Sequence, residues 1–291
     1  MTDLIVETDV GHDPDDFFAV CYLAGAGVNI RAITVVPGDR DQLAVARLLV
    51  NVLGLDIPVG ASKLDSCKFS SGGVHYHVLD HFGFPREADH DGPGDEVIAA
   101  TMARHPDAEF LVIGPCTSTA RYLSRPGARV PRRLTMQGGF LGYHLHAPRV
   151  RLPQFEGRTW MPTFNLNGDR KGAERLLAAA IPERRFVGKN VCHTLLYDRA
   201  VHATMPAADP ARPATVLFMT AMEKYFAEHP EKKWHDPTAA VCHLHPEVGT
   251  WVRGRVTKME AGWGTVPDDN GDLILADIDR EALWSHVRNW T

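Results

Sequence analysis

Leu4-Ile5-Val6-Glu7-Thr8-Asp9-Val10-Gly11-His12-Asp13-Pro14-Asp15-Asp16-Phe17 is the stretch that decides the fold. It opens on an apolar run, Leu4–Val6, that reads as a buried strand. Asp15 then starts a helix whose apolar face is Phe17, Val20, Cys21 and Leu23–Ala24. Between strand and helix lies a loop crowded with acids. An apolar strand feeding a loop and then an amphipathic helix is the first half of a βαβ unit.

The same alternation continues outward along the chain. Strands are expected at Ile30–Val36, Phe110–Ile113, Arg133–Met136 and Arg185–Gly188. Helices are expected at Gln42–Leu53, Thr119–Leu123, Asp169–Ala180, Pro213–Glu228, Asp236–His245 and Asp279–Val287, with a hairpin within Lys258–Asp277. The expected class is therefore α/β, one domain over 1–291, with a mainly parallel central sheet flanked by helices. Two segments, 61–93 and 140–161, are rich in Gly, Pro and His and read as long loops. Loops of that length in a compact domain are usually functional.

Composition narrows the function. The 291 residues are 44% hydrophobic and 23% charged, with a net charge of −5 and no basic run. That gives no electrostatic support for a nucleic acid polymer as partner and favours a small, neutral or weakly charged substrate. Cys21, Cys67, Cys116, Cys192 and Cys242 are scattered and form no CxxC pair, so neither a disulfide framework nor a thiolate zinc site is expected. The N-terminus has no basic region followed by a long apolar stretch, and no stretch approaches the ~20 apolar residues of a membrane span. The expectation is a cytoplasmic protein without a membrane partner.

Glu7, Asp9, Asp13, Asp15 and Asp16 put five carboxylates within ten residues. Capping of the helix start, where acids are stabilised by the dipole, accounts for one or two of them. The others repel unless a cation is present or some stay protonated. Oxygen ligands select calcium, magnesium or manganese over zinc. In open α/β sheets ligands bind beyond the carboxyl ends of the strands, where this loop would lie. The EF-hand spacing, the Walker sequence and GxGxxG are all absent, and Glu7 stands where a phosphatase of the DxD type would need its nucleophilic Asp.

The acidic stretch resembles the N-terminal DxDxGxDDA signature of the inosine–uridine nucleoside hydrolases, with Glu7 for the first Asp and two extra residues before Asp15-Asp16. Further matches follow in the family's order: Ile33–Asp39, Ile113–Ser118, Met136–Gly139, Phe164-Asn165 with Asp169, and His235-Asp236-Pro237. The resemblance implies calcium bound by Asp9, Asp16, Asp236 and the main-chain carbonyl of Thr117. It makes Asp9 the general base, places Asp15 and Asn165 on the ribose hydroxyls, and puts His235 near the departing base. It also implies a homodimer or homotetramer acting on a nucleoside or related glycoside. An oxygen-only shell of this kind suits a hard cation, and glycoside hydrolysis implies an oxocarbenium-like transition state.

The sequence also departs from the family. Asp39 replaces an Asn, Ser118 an Asn, and Thr163 a Glu. Gly157 stands where a further Asn is usual. The metal shell is kept while sugar recognition is partly rewritten, so a different glycone or a modified nucleoside is an open alternative. A non-catalytic ligand-binding relative is another. Trp160 and Trp234 flank the site motifs and are candidates to stack on a planar leaving group, against the alternative that they are core residues. His75, His77 and His144 are candidates to close over the site from a loop. The pairs His75/His77, His144/His146 and His243/His245 do not follow a first strand as a barrel-type zinc hydrolase requires. Asp13, carried by the two-residue insertion, has no role in the family pattern.

Overall fold

The structure, a computed structural model, describes residues 2–63 and 73–290. Its centre is an 11-stranded sheet. From one edge the strands run Gly92–Pro93, Val59–Ala61, Asn29–Val35, Asp3–Thr8, Glu109–Val112, Arg133–Gln137, Glu183–Val187 and Asp272–Ile278, and every pairing among them is parallel. Gly249–Met259, Gly262–Pro267 and Trp160–Met161 complete the other edge in antiparallel register. The expected late hairpin is thus a three-stranded antiparallel extension. Its first strand escapes a sequence reading because Arg253, Arg255 and Lys258 interrupt its apolar pattern.

The inner strands are buried on both faces, as parallel strands under helices must be. Along Asp3–Thr8 the alternation of side chains divides the core. Leu4 and Val6 join one apolar cluster with Phe17, Phe18, Phe218 and Trp234, while Ile5 joins the other with Phe110, Met136 and Phe186. Helix Asp15–Gly25 packs on helices Pro213–Glu228 and Asp236–Leu244, which is why residues 15 to 23 are all buried. Helix Gly94–Arg104 and helix Arg170–Ala178 cover the opposite face through Ile98, Met102, Ala173 and Leu176.

Of the long loops, 140–161 contains only a single 3₁₀ turn, Pro153–Phe155, before its short strand. The other expected loop contains helix His75–His81, and part of it lies outside the described residues, as does Cys67. Among the described residues no helix is long and apolar enough to cross a membrane.

Candidate active site

Four adjacent parallel strands end at one place. Asp9, Ile113, Gln137 and Lys189 each follow or close the strands Asp3–Thr8, Glu109–Val112, Arg133–Gln137 and Glu183–Val187, and all four line one cavity of about 440 Å³. Asp13, Asp15 and Asp16 enter it from the first loop, and Thr163–Asn165 from the segment after Trp160–Met161. His193, Lys232, His235 and Asp236 close the remaining side.

The first loop is built tightly. The Thr8 hydroxyl donates to Asp16 and accepts from the Val10 amide at 3.1 Å, fixing the Asp16 carboxylate over the strand end. Gly11 has φ +123°, and a Cβ there would lie 2.3 Å from Nε2 of His75. Gly114 is equally confined, since its Cβ would stand 2.7 Å from the Asp9 amide nitrogen. Gly11 thus lets the acidic loop approach helix His75–His81, and Gly114 lets the turn after Glu109–Val112 approach the acidic loop.

Glu7 leaves the acidic cluster altogether. Its carboxylate accepts from the Ser118 and Thr119 amides at 2.6 and 3.0 Å, tying the first strand to the start of helix Thr117–Leu123. Burial pushes its pKa up to about 7 against those two hydrogen bonds.

The remaining acids converge. Oxygen atoms of Asp15, Asp16 and Asp236 lie within 4.8 Å of one another. Burial, with the charges of Asp15 and Asp13, pushes Asp9 up to about 8. Asp16 is raised well above the usual carboxylate range by burial and by Asp9 and Asp15. Asp236 is raised in the same way by burial and by Asp15, Asp16 and Asp9. Buried carboxylates that raise one another and meet at one point form a donor set suited to a divalent oxygen-seeking cation.

Lys232, like Lys189 and His193, is a lining residue that sequence reading missed. Glu231–Lys233 pairs antiparallel with Leu196–Asp198, which turns the middle lysine inward opposite Tyr197. Its ammonium bonds Asp13 and lies 3.2 Å from Asp15 Oδ1. Burial opposes its charge, but Asp15 and Asp13 outweigh burial and hold it firmly protonated. This gives Asp13 its partner.

Asn165 is fixed by its amide nitrogen, which donates to Ile113 O at 2.9 Å, Gln137 O at 3.1 Å and Gln137 Oε1 at 2.9 Å. The ring of His235 lies 5.3 Å from that of His193, which lies 5.3 Å from Phe155. Burial and neighbouring lysines keep both imidazoles neutral; His193 is lowered to about 3, and His235 falls well below its ordinary value.

Several expected residues stand elsewhere. Trp234 is fully buried and stacks on Tyr197 at 4.2 Å between centroids, so it is core and does not face a ligand. Trp160 is a half-buried edge-strand residue opposite Gly264 and is not in the cavity lining. The aromatic that does line the cavity is Phe164, 57% exposed. Asp39 precedes helix Arg40–Val52 and is also outside the lining. The Gly38 turn before it is held by Gln42, whose side chain accepts from the Gly38 amide and donates to Val36 O. Thr117 gives its hydroxyl to Asp169 at 2.9 Å and does not line the cavity; the residue of that segment that does is Ile113. His75 packs on Gly11, while His77 and His144 are exposed and outside the lining. His243 is buried against Glu109 and Thr135, away from His245.

The family model described as inosine-uridine preferring nucleoside hydrolase matches residues 4–285. No curated protein matches the chain. Solved structures share the architecture. A plant nucleoside hydrolase superposes with a TM-score of 0.74 at 18% identity, covering 99% of this chain and 98% of its own. An inosine-uridine preferring nucleoside hydrolase from Bacillus anthracis does so with 0.74 at 17%, covering 100% and 99%. A purine-preferring ribonucleoside hydrolase from Gardnerella vaginalis gives 0.68 at 17%, covering 99% and 98%.

Proposed function

Because the chain belongs to the inosine-uridine preferring nucleoside hydrolase family and is thereby an N-glycosidase, we propose that it cleaves the N-glycosidic bond of a nucleoside or related N-riboside with calcium held by Asp9, Asp16 and Asp236. The observation that carries this reading is the meeting of Asp15, Asp16 and Asp236 within 4.8 Å, in a cavity that Asp9, Asn165 and His235 also line.

Calcium held by these carboxylates would supply a field that acidifies water and would offer open positions to a sugar diol. The main-chain oxygen of the shell is assigned to Ile113, which lines the cavity, rather than to Thr117, which does not. Asp9 takes the proton of the attacking water; burial with Asp15 and Asp13 raises its pKa, and a cation in the shell would draw it back down and keep the carboxylate ionised for that task. Water oxygen bonds to the anomeric carbon as the carbon–nitrogen bond breaks, and the departing base takes up a proton. Asp15 and Asn165 accept from sugar hydroxyls. The Asn165 amide is already committed inside the protein, which leaves its Oδ1 for the ligand. Neutral His235 donates an N–H hydrogen bond to the leaving group without acting as a strong acid. Phe164 takes the stacking place first assigned to Trp160 and Trp234.

The test is a panel of nucleosides incubated with added calcium and with chelator, assayed for free sugar and free base. Release of both products that is lost with chelator supports the reading. No release from any member, together with no calcium binding, rejects it.

A further inference from the structure

The pair His243/His245 parts at the end of a helix. His243 turns into the core, whereas His245 closes helix Asp236–Leu244 and keeps 34% of its side chain exposed. There it meets two further donors. Its Nδ1 lies 3.2 Å from Glu247 Oε1, and its ring stacks on that of His286, 3.9 Å away between centroids at 21°. One donor atom from each of His245, Glu247 and His286 lies within 4.8 Å of the other two.

Hydrogen bonds fix the backbone that carries them. The His245 amide donates to Val241 O at 2.7 Å and ends the helix. Pro246 then starts the 3₁₀ turn Pro246–Val248, whose Val248 amide returns to His245 O at 3.2 Å. Trp251 Nε1 donates to Pro246 O at 2.8 Å and pins the turn to the sheet. The Asp279 amide donates to Val248 O at 2.7 Å, just before helix Arg280–Arg288 begins. That helix buries Leu283 and Val287, so His286 stands on a packed element. The fold itself brings the three donors together.

This donor set differs in kind from that of the cavity. Two imidazole nitrogens and a carboxylate suit zinc and its neighbours, with a fourth position left for water, whereas calcium takes oxygen ligands. Zinc lies about 2.1 Å from such ligands, which puts tetrahedral donors about 3.4 Å apart. Imidazole lone pairs lie in the ring plane, and nearly parallel rings present them side by side. Turns about the broad terminal torsions of the two histidines make them converge. All three side chains reach solvent, so an ion can enter. Asp236 and His245 stand at opposite ends of one helix, about 13 Å of rise apart, which separates this group from the acidic cavity.

We infer that His245, Glu247 and His286 form a second cation site, which takes a zinc-class transition-metal ion and fastens the last helix, Arg280–Arg288, to the end of helix Asp236–Leu244. The inference is independent of the N-glycosidase reading, since none of the three residues lines the cavity.

Calorimetric titration of the whole protein with zinc, in excess calcium to compete for the cavity carboxylates, tests it. One zinc ion should bind per chain and should raise Tm, because an ion held only by the folded state stabilises that state. His286→Ala should weaken zinc binding by about 100-fold or more, beyond the 10–100-fold typical of losing a supporting contact, and should leave calcium binding unchanged. Glu247 is exposed, so Glu247→Gln keeps the packing and decides the matter if His286→Ala does not fold; zinc should bind it about tenfold more weakly or worse. Asp16→Ala should keep its zinc. Amide exchange in Arg280–Arg288 should slow on adding zinc to the parent and not to either site variant. No zinc binding by the parent overturns the inference, as does parental zinc affinity in Glu247→Gln. Zinc binding that Asp16→Ala abolishes and His286→Ala retains would move the ion to the cavity and overturn it too. Zinc bound at the three residues with no change in exchange would overturn the fastening role.

Discussion

Lys232 and Asp15 form an ion pair of 3.2 Å at the edge of the acidic cluster, with both side chains almost wholly buried. A fixed ammonium beside the proposed cation site would have opposite effects on the protein with and without an ion. It offsets carboxylate repulsion when the ion is absent, and it competes with the ion electrostatically when present.

Lys232→Met keeps the stem and removes the charge. The metal-free variant should lose about 3–5 kcal/mol of stability, since Asp15 is left buried and unpaired. Its calcium affinity should rise by about tenfold, because a like charge has gone from beside the site. Urea unfolding with and without calcium measures both effects. Weaker calcium binding in the variant would show that Lys232 holds the loop in shape and does not tune its charge.

Asp16→Ala tests the cation shell itself. Asp16 is held by the Thr8 hydroxyl and meets Asp15 and Asp236, so its removal would take away a pre-positioned carboxylate of the proposed shell. Calcium affinity should fall by roughly 100-fold or more, because affinity in such sites follows the number of charged ligands. The increase in Tm on adding calcium should vanish. A variant that calcium stabilises as well as it does the parent would remove Asp16 from the shell.

A pH response is expected far from the cavity, at Glu109. Its Oε2 lies 3.1 Å from His243 Nε2 and 3.2 Å from Arg133 Nη1, and Arg132 lies 2.5 Å from Oε1. Burial would raise its pKa, but His243 and the two arginines more than offset this and bring it to about 2. Its folded pKa lies below the ordinary 4.5, so the unfolded chain binds more protons between those values. The stabilisation is therefore complete above pH 4.5 and is lost as pH falls toward 2. Chemical denaturation at pH 5, 4 and 3 should show Glu109→Gln with a flatter decline than the parent, although less stable at pH 5. Parallel declines would mean that other carboxylates carry the acid sensitivity.

The parts of the molecule written in local chemistry were legible in the sequence. Leu4–Val6 must be buried and Asp15 opens a helix, so the first βαβ half followed from residue type and period alone. The crowding of acids in the first loop was legible because helix capping explains only one or two of them, whereas Asp236 entered only through the His-Asp-Pro resemblance; the structure brings Asp15, Asp16 and Asp236 together. What tertiary pairing decides was hidden. Glu231-Lys232-Lys233 reads as a solvated charge run until its pairing with Leu196–Asp198 turns the middle residue inward. The indole of Trp234 says nothing about which side of its strand end it will face, and here it faces Tyr197 and Phe18. The turn from Ile113 to Thr117 was recognised, but its backbone path decides which residue meets the cavity, and that residue is Ile113.

The role of Asp9 separates an enzyme from a binding protein on the same fold. Asp9 lines the cavity at the end of the first strand, and burial together with Asp15 and Asp13 brings its carboxyl to about 8. A cation in the shell would draw that value down and leave an ionised base beside the attacking water. Asp9→Asn keeps an oxygen of similar reach but cannot take up a proton. The variant should fold, bind a substrate analogue within about tenfold of the parent, and lose about 10²–10⁴ in turnover, the usual range for a missing general base. It should also be at least as stable as the parent without metal above pH 7, because one of the mutually repelling carboxylates has become neutral. Single-turnover assays on the best nucleoside substrate, with calorimetry for binding, separate the two effects. If turnover survives in Asp9→Asn, the base is another residue. Asp13 is the next to test, since it reaches the same cavity from the two-residue insertion and is held there by Lys232.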